Sequence, residues 1–122
     1  MTRGSTPLSL KEKRMPSEIT AKALQARLDA GEKLLLLDVR QPWEHETARI
    51  AKSVLIPMNE LPQRLADIKL EAGQQLVTYC HAGVRSMRSA MFLEQSGFTN
   101  VLSLAGGIAA WSSEVDPTVP QY

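Results

Sequence analysis

The chain has 122 residues, 43% of them hydrophobic and 22% charged, which suits one globular domain able to bury a core without disulfides or metals. Fourteen basic residues stand against thirteen acidic ones, a formal charge of +1 that gives no reason to expect a nucleic-acid partner. No apolar run nears the ~18–20 residues of a membrane span. A single cysteine forbids an internal disulfide, and no Cys/His spacing offers a zinc site.

Residues 1–15 carry Arg3, Lys11, Lys13 and Arg14 against Glu12 alone and read as a flexible, solvated basic arm. They hold no apolar signal core, which points to a cytoplasmic protein. The domain proper is placed at 16–112. Glu18-Ile19 reads as a short edge strand, and Thr20 as the N-cap of a helix over 21–30 that ends at Gly31. Leu34 to Val39 is an apolar run too short for a helix and fits a strand covered on both faces. Val54-Leu55-Ile56 repeats that signature. A helix is expected from Asn59 to Ile68, with Pro62 in its first turn. Leu76 to Tyr79 is a further buried strand, Ser86 to Gln95 a helix ended by Gly97, and Val101 to Leu104 the last strand. Gly107 to Ser112 is a short helix, and 113–122, with Pro117 and Pro120, an irregular tail. This alternation predicts an α/β fold with a central, mostly parallel five-stranded sheet and helices on both faces.

In such folds sites gather at the carboxyl ends of the strands. The only cysteine, Cys80, sits there, followed by the loop His81-Ala82-Gly83-Val84-Arg85-Ser86 that leads into a helix. A tight loop of this kind turns backbone N–H groups toward one spot, and Gly83 can supply a positive φ. Oriented dipoles and the Arg85 cation would favour thiolate at Cys80 and hold an anion beside it. This chemistry needs the sulfur open at the mouth of the loop and Arg85 facing it. On location alone a reactive cysteine outweighs a small buried hydrophobe, the commoner role of free cysteines.

The loop, taken with Asp38-Val39-Arg40-Gln41-Pro42-Trp43-Glu44 and Leu104-Ala105-Gly106-Gly107-Ile108-Ala109-Ala110-Trp111, resembles a single-domain rhodanese, the thiosulfate sulfurtransferase family, from about Ile19 to Trp111. The resemblance implies a rhodanese-like fold and a catalytic Cys80. Cys80 would take sulfur from a thiosulfate-like anion as a persulfide and pass it to cyanide, a thiol or a protein acceptor, with no metal or other cofactor. Residues His81, Ala82, Gly83, Val84, Arg85 and Ser86 would bind the substrate, Arg85 holding the sulfonate end of the donor. Asp38, Arg40 and Glu44 would brace the site structurally. His81 is read as a rim residue and His45 as a surface one; Trp43 and Trp111 are read as core or rim packing. Arg88 is either a source of positive potential or part of a solvated face.

The Cys-x4-Arg spacing is one residue shorter than the Cys-x5-Arg loops of related phosphatases and arsenate reductases, which favours sulfane sulfur over a tetrahedral phosphate-like group. One stretch departs from the family: Ala48-Arg49-Ile50-Ala51-Lys52-Ser53 replaces a Gly-His-Ile-x-Gly-Ala pattern, so two glycines are missing. The rival reading is a sulfur carrier or binding module serving a partner protein, with little turnover of its own. Phosphatase-like or arsenate-reductase-like activity is a weaker third.

Overall fold

The computed structural model of the chain describes residues 15–122, so the basic arm lies, but for Met15, outside the described residues. Five strands, β1 (Ser17–Ile19), β2 (Leu34–Asp38), β3 (Val54–Leu55), β4 (Gln75–Tyr79) and β5 (Leu102–Leu104), form one sheet in the order β1-β5-β4-β2-β3. Every registered pair is parallel, and β2 and β4 pair from Leu34↔Gln75 to Asp38↔Tyr79. The α-helices are α1 (Ala21–Asp29), α2 (Pro42–Thr47), α3 (Val84–Gln95) and α4 (Gly107–Glu114). No helix among the described residues is long and apolar enough to cross a membrane.

The leucine run of β2 has no polar alternation because both faces of the sheet are covered. Successive side chains on a strand point to opposite faces. Leu36 joins Val77, Tyr79 and Leu104 under α1 (Ala21, Leu24) and α4 (Ile108, Trp111). Leu37 and Val39 join Leu76 and Ile56 under α3 (Ala90, Leu93). Each such aliphatic side chain contributes roughly 1.5–3 kcal/mol by leaving water. Thr20 caps α1, its Oγ1 accepting from Ala23 N at 3.1 Å, and Gly31 follows at φ +77.

The helix expected from Asn59 to Ile68 is instead two short 3-10 segments, Met58–Gln63 and Leu65–Asp67. The first begins early enough that Pro62 falls inside it, where its ring removes a donor and blocks α-helical closure. The chain settles for tighter bonds, such as Arg64 N to Leu61 O at 3.0 Å, and still buries Leu61. The helix expected from Ser86 starts two residues earlier, since Gly83 at φ +112 turns the loop directly into α3.

Past α4, residues 115–122 form no regular element, but they are packed. Val119 is buried, and its carbonyl accepts from Ser112 Oγ at 2.6 Å. This return brings the segment back over the carboxyl ends of the strands, where Tyr122 meets His81.

Candidate active site

Cys80 follows β4 directly, and β4 lies between β2 and β5. Its Sγ accepts hydrogen bonds from Gly83 N at 3.1 Å and Ser86 N at 3.3 Å. Amides in the first turn of a helix have no intrahelical acceptor, so α3 presents Ser86 N–H to the sulfur at no cost to its own ladder. Ser86 Oγ lies 3.5 Å from Sγ and 2.8 Å from Ser103 Oγ, which places two buried hydroxyls beneath the loop. Ser103 was not among the expected site residues; its signal was a hydroxyl interrupting the apolar run of a buried strand.

The loop is held from the other side by α4. Ile108 N donates to Cys80 O at 2.8 Å and Ala109 N to His81 O at 3.1 Å. This contact explains Gly107. A Cβ on Gly107 would lie 2.5 Å from Cys80 O, and the residue sits at φ +59. Gly107→Ala is therefore expected to cost roughly 2–4 kcal/mol, from left-handed strain and overpacking together. Urea unfolding of the variant checks this, and a loss below ~1 kcal/mol contradicts it.

Asp38, Arg40 and Glu44 are all buried. Asp38 Oδ1 accepts from Arg40 N at 3.0 Å and Nε at 2.8 Å, and Oδ2 accepts from Arg40 Nη2 at 2.7 Å. Arg40 also bonds the Ala48 carbonyl and Tyr122 Oη. Burial alone would lower the Arg40 pKa, but these bonds outweigh it and raise it. His45, expected at the surface, is instead tucked in with its Nδ1 2.8 Å from Asp38 Oδ2, because α2 begins four residues beyond β2 and leans on its end. Of the two tryptophans, Trp111 is core and Trp43 is 59% exposed at the rim; Arg88 is exposed on α3.

Two expectations about the loop are corrected. Cys80 is 1% exposed, closed in among Val39, Ile56, Ala90 and Leu93 rather than open at the mouth. Arg85, expected to face the donor, has its guanidinium on Glu44, Nη1 to Oε1 at 2.8 Å and Nη2 to Oε2 at 2.9 Å. The physical reason is that Glu44 is a buried carboxylate with no other full charge to meet, and a fork-to-fork pair satisfies both groups at once. Glu44 also accepts from Gln41 N at 3.0 Å, capping α2, and from Tyr122 Oη at 2.7 Å.

Arg85 pulls the Glu44 carboxyl to about 2 from its ordinary 4.5, against burial, which pushes it up; Gln41 N–H and Tyr122 Oη add to the pull. A depressed carboxyl contributes stability that is full above its unfolded value and is lost as pH falls through its folded one. The melting-temperature gap between wild type and Glu44→Gln should therefore be widest above about pH 5 and shrink toward pH 2. A gap that widens on acidification contradicts the pairing.

The stretch without its two glycines keeps its turn. Lys52 takes φ +68, a left-handed conformation that costs a side-chain-bearing residue roughly 1–2 kcal/mol. The turn is pinned by Tyr79 Oη, which accepts from Ile50 N at 3.2 Å and lies 2.8 Å from Ser53 Oγ.

A cysteine at the end of a central parallel strand, its sulfur bonded by the N–H groups of a strand-to-helix loop, matches a known domain. The sequence profile of the rhodanese-like domain covers residues 20–114. The chain belongs to the rhodanese family. A sulfurtransferase of Allochromatium vinosum is 36% identical over 105 residues, covering 86% of this chain and 96% of that one. A probable adenylyltransferase/sulfurtransferase of Mycobacterium tuberculosis is 36% identical over 106 residues, 87% of this chain but only 27% of the relative's length. The solved thiosulfate sulfurtransferase of Pseudomonas aeruginosa superposes with a TM-score of 0.73 at 29% identity, covering 87% of this chain and 20% of that one. Sulfur transfer is thus the class of chemistry to which this rhodanese domain is related.

Proposed function

We propose that this rhodanese domain moves sulfane sulfur from thiosulfate or a similar anionic donor to a thiophilic acceptor through a persulfide on Cys80. The observation that carries the reading is the pair of N–H groups, from Gly83 and Ser86, directed at Sγ. Donors aimed at one atom stabilise negative charge there without having to reorganise during the reaction.

In the first half-reaction the Cys80 thiolate attacks the outer sulfur of thiosulfate. The S–S bond of the donor breaks, and sulfite leaves with the electron pair. In the second, the acceptor nucleophile attacks the outer sulfur of the persulfide, and the electron pair of the Cys80 S–S bond returns to Cys80 as thiolate. With cyanide the product is thiocyanate. Once the thiolate is formed, neither half-reaction moves a proton at Cys80, so the cycle itself assigns His81 no acid–base role. The loop from His81 to Ser86 surrounds the reacting sulfur, and the Asp38–Arg40 and Glu44–Arg85 pairs brace it.

The sulfur is buried and Arg85 is on Glu44, so this cycle requires the loop to open first, and the closed site gives a second reading equal standing. With Cys80 buried and Arg85 engaged, a domain that opens only against a partner protein would act as a sulfur carrier. The Mycobacterium relative, in which a region like this one is a minor part of a longer sulfurtransferase, is consistent with that role. A panel of donors and acceptors on wild type and Cys80→Ala separates the two. Rapid thiocyanate formation from thiosulfate and cyanide, absent in the variant, supports the stand-alone enzyme. Slow cyanolysis with fast transfer to a protein thiol supports the carrier, and equal rates in wild type and variant reject both. A preference for aryl phosphate or arsenate would favour the phosphatase-like alternative.

A further inference from the structure

Tyr122 is not required by the persulfide chemistry, yet it contacts several separate parts of the site. Its ring stacks on His81, the residue after the nucleophile, with centroids 4.3 Å apart and planes 19° from parallel. It meets the exposed Trp43 edge-on at 5.6 Å. Its hydroxyl accepts from Arg40 Nη1 at 2.7 Å and donates to Glu44 Oε2 at 2.7 Å, the same oxygen that receives Arg85 Nη2. One side chain therefore ties the buried Asp38–Arg40 brace, the Glu44–Arg85 pair and the catalytic loop together.

The chemical consequence lies at Arg85. Its guanidinium is the loop's one cation, and both Nη atoms are spent on Glu44. An anion reaching Cys80 meets the Glu44 carboxylate as well as the guanidinium, so the pair offers it little net attraction. Tyr122 holds the carboxylate in that position by donating a fourth hydrogen bond, beside the two from Arg85 and the one from Gln41 N. Without the phenol, Glu44 keeps only Gln41 N and Arg85, and the looser carboxylate competes less for the guanidinium when an anion approaches.

We propose that Tyr122 is a specificity-determining residue that holds Glu44 on Arg85 and so withholds the loop's cation from small anionic donors. This rests on the anionic-donor reading above, and its test is independent of turnover. Cys80 is alkylated with iodoacetate, an anion, and with iodoacetamide, its neutral counterpart, and the ratio of the two rates is compared among variants. Tyr122→Phe keeps the stacked ring and removes the two hydroxyl bonds; its iodoacetate-to-iodoacetamide ratio is expected to rise about threefold. Tyr122→Ala should raise it further, and Glu44→Gln, which removes the competing charge, should set the upper limit at about tenfold.

Loss of cover by itself speeds both reagents and leaves the ratio unchanged, so a merely structural role is told apart. In steady state, Tyr122→Phe should lower the thiosulfate KM about threefold with kcat altered less than twofold. An alkylation ratio that stays within 1.5-fold of wild type in both Tyr122 variants, whatever Glu44→Gln does, overturns the proposal, as does a failure of both reagents to reach Cys80 in any of them. A raised ratio without any thiosulfate turnover upholds the role of Tyr122 at Arg85 and places the failure in the donor assignment instead.

Discussion

Asp38→Ala is expected to lower folding stability by about 3–5 kcal/mol, the largest loss from any single polar side chain in this protein. The substitution strands Arg40, a fully buried guanidinium, with one carbonyl and one phenol in place of a carboxylate. Breaking such a pair from one side leaves a charge in a medium that cannot solvate it, and that penalty exceeds the worth of the pair itself. For the same reason the double variant Asp38→Ala with Arg40→Met should recover part of the loss, because neither charge is then buried alone. Urea midpoints of the single and double variants check this. A single-variant loss below ~1 kcal/mol, or a double variant less stable than both singles, contradicts the account. Activity in Asp38→Ala should fall only as far as the folded fraction and loop geometry fall, since the carboxylate touches Arg40 and His45 and not the sulfur.

Cys80→Ser is expected to remove sulfur transfer, by at least ~1000-fold in kcat/KM, while leaving the fold intact. A serine hydroxyl stays protonated at neutral pH and forms no stable counterpart of a persulfide. Its oxygen can nevertheless take the same two N–H bonds from Gly83 and Ser86, so the loop keeps its curl. The melting temperature should therefore stay within a few degrees of wild type, corresponding to about 1 kcal/mol or less. Activity lost together with a large drop in melting temperature would mean that Cys80 serves the core first, consistent with its place among Val39, Ile56 and Leu93.

The sheet was legible because its chemistry is local. A run of four leucines flanked by Gly31 and Pro42 can be little else than a strand with both faces covered, and Leu36 and Leu37 do serve opposite cores. Thr20 and Gly83 were legible for the same reason, as a cap and a left-handed turn that those residue types favour. The failures at Arg85 and Tyr122 involve partners far apart in the chain. Arg85 reads from sequence as a free cation beside the cysteine; its carboxylate lies 41 residues away, on α2. Tyr122 lies 78 residues from Glu44, in a proline-containing stretch without periodicity, and nothing in its neighbours announces a place over the site. Burial of Cys80 comes from the core it joins, with Val39, Ile56, Ala90 and Leu93 brought together from separate elements. The error at 58–67 was of another kind: Leu61 and Leu65 suggested a helical face, and the position of Pro62 relative to the true start decided against it.

Lys52 teaches a related lesson. Two glycines expected before β3 are absent, yet the turn survives with lysine in the left-handed region, because Tyr79 and Ser53 fix the backbone on either side of it. Tertiary bonds can hold a turn whose residue types argue against it.

The central claim is that the sulfur of Cys80 becomes the carrier of transferred sulfur. Intact mass after incubation with thiosulfate and removal of excess donor tests it most directly. The account predicts a gain of about 32 Da on the wild-type chain, reversed by cyanide or a thiol and missing from Cys80→Ser. A chain that gains no mass, or a Cys80→Ser variant that gains as much as wild type, would contradict it.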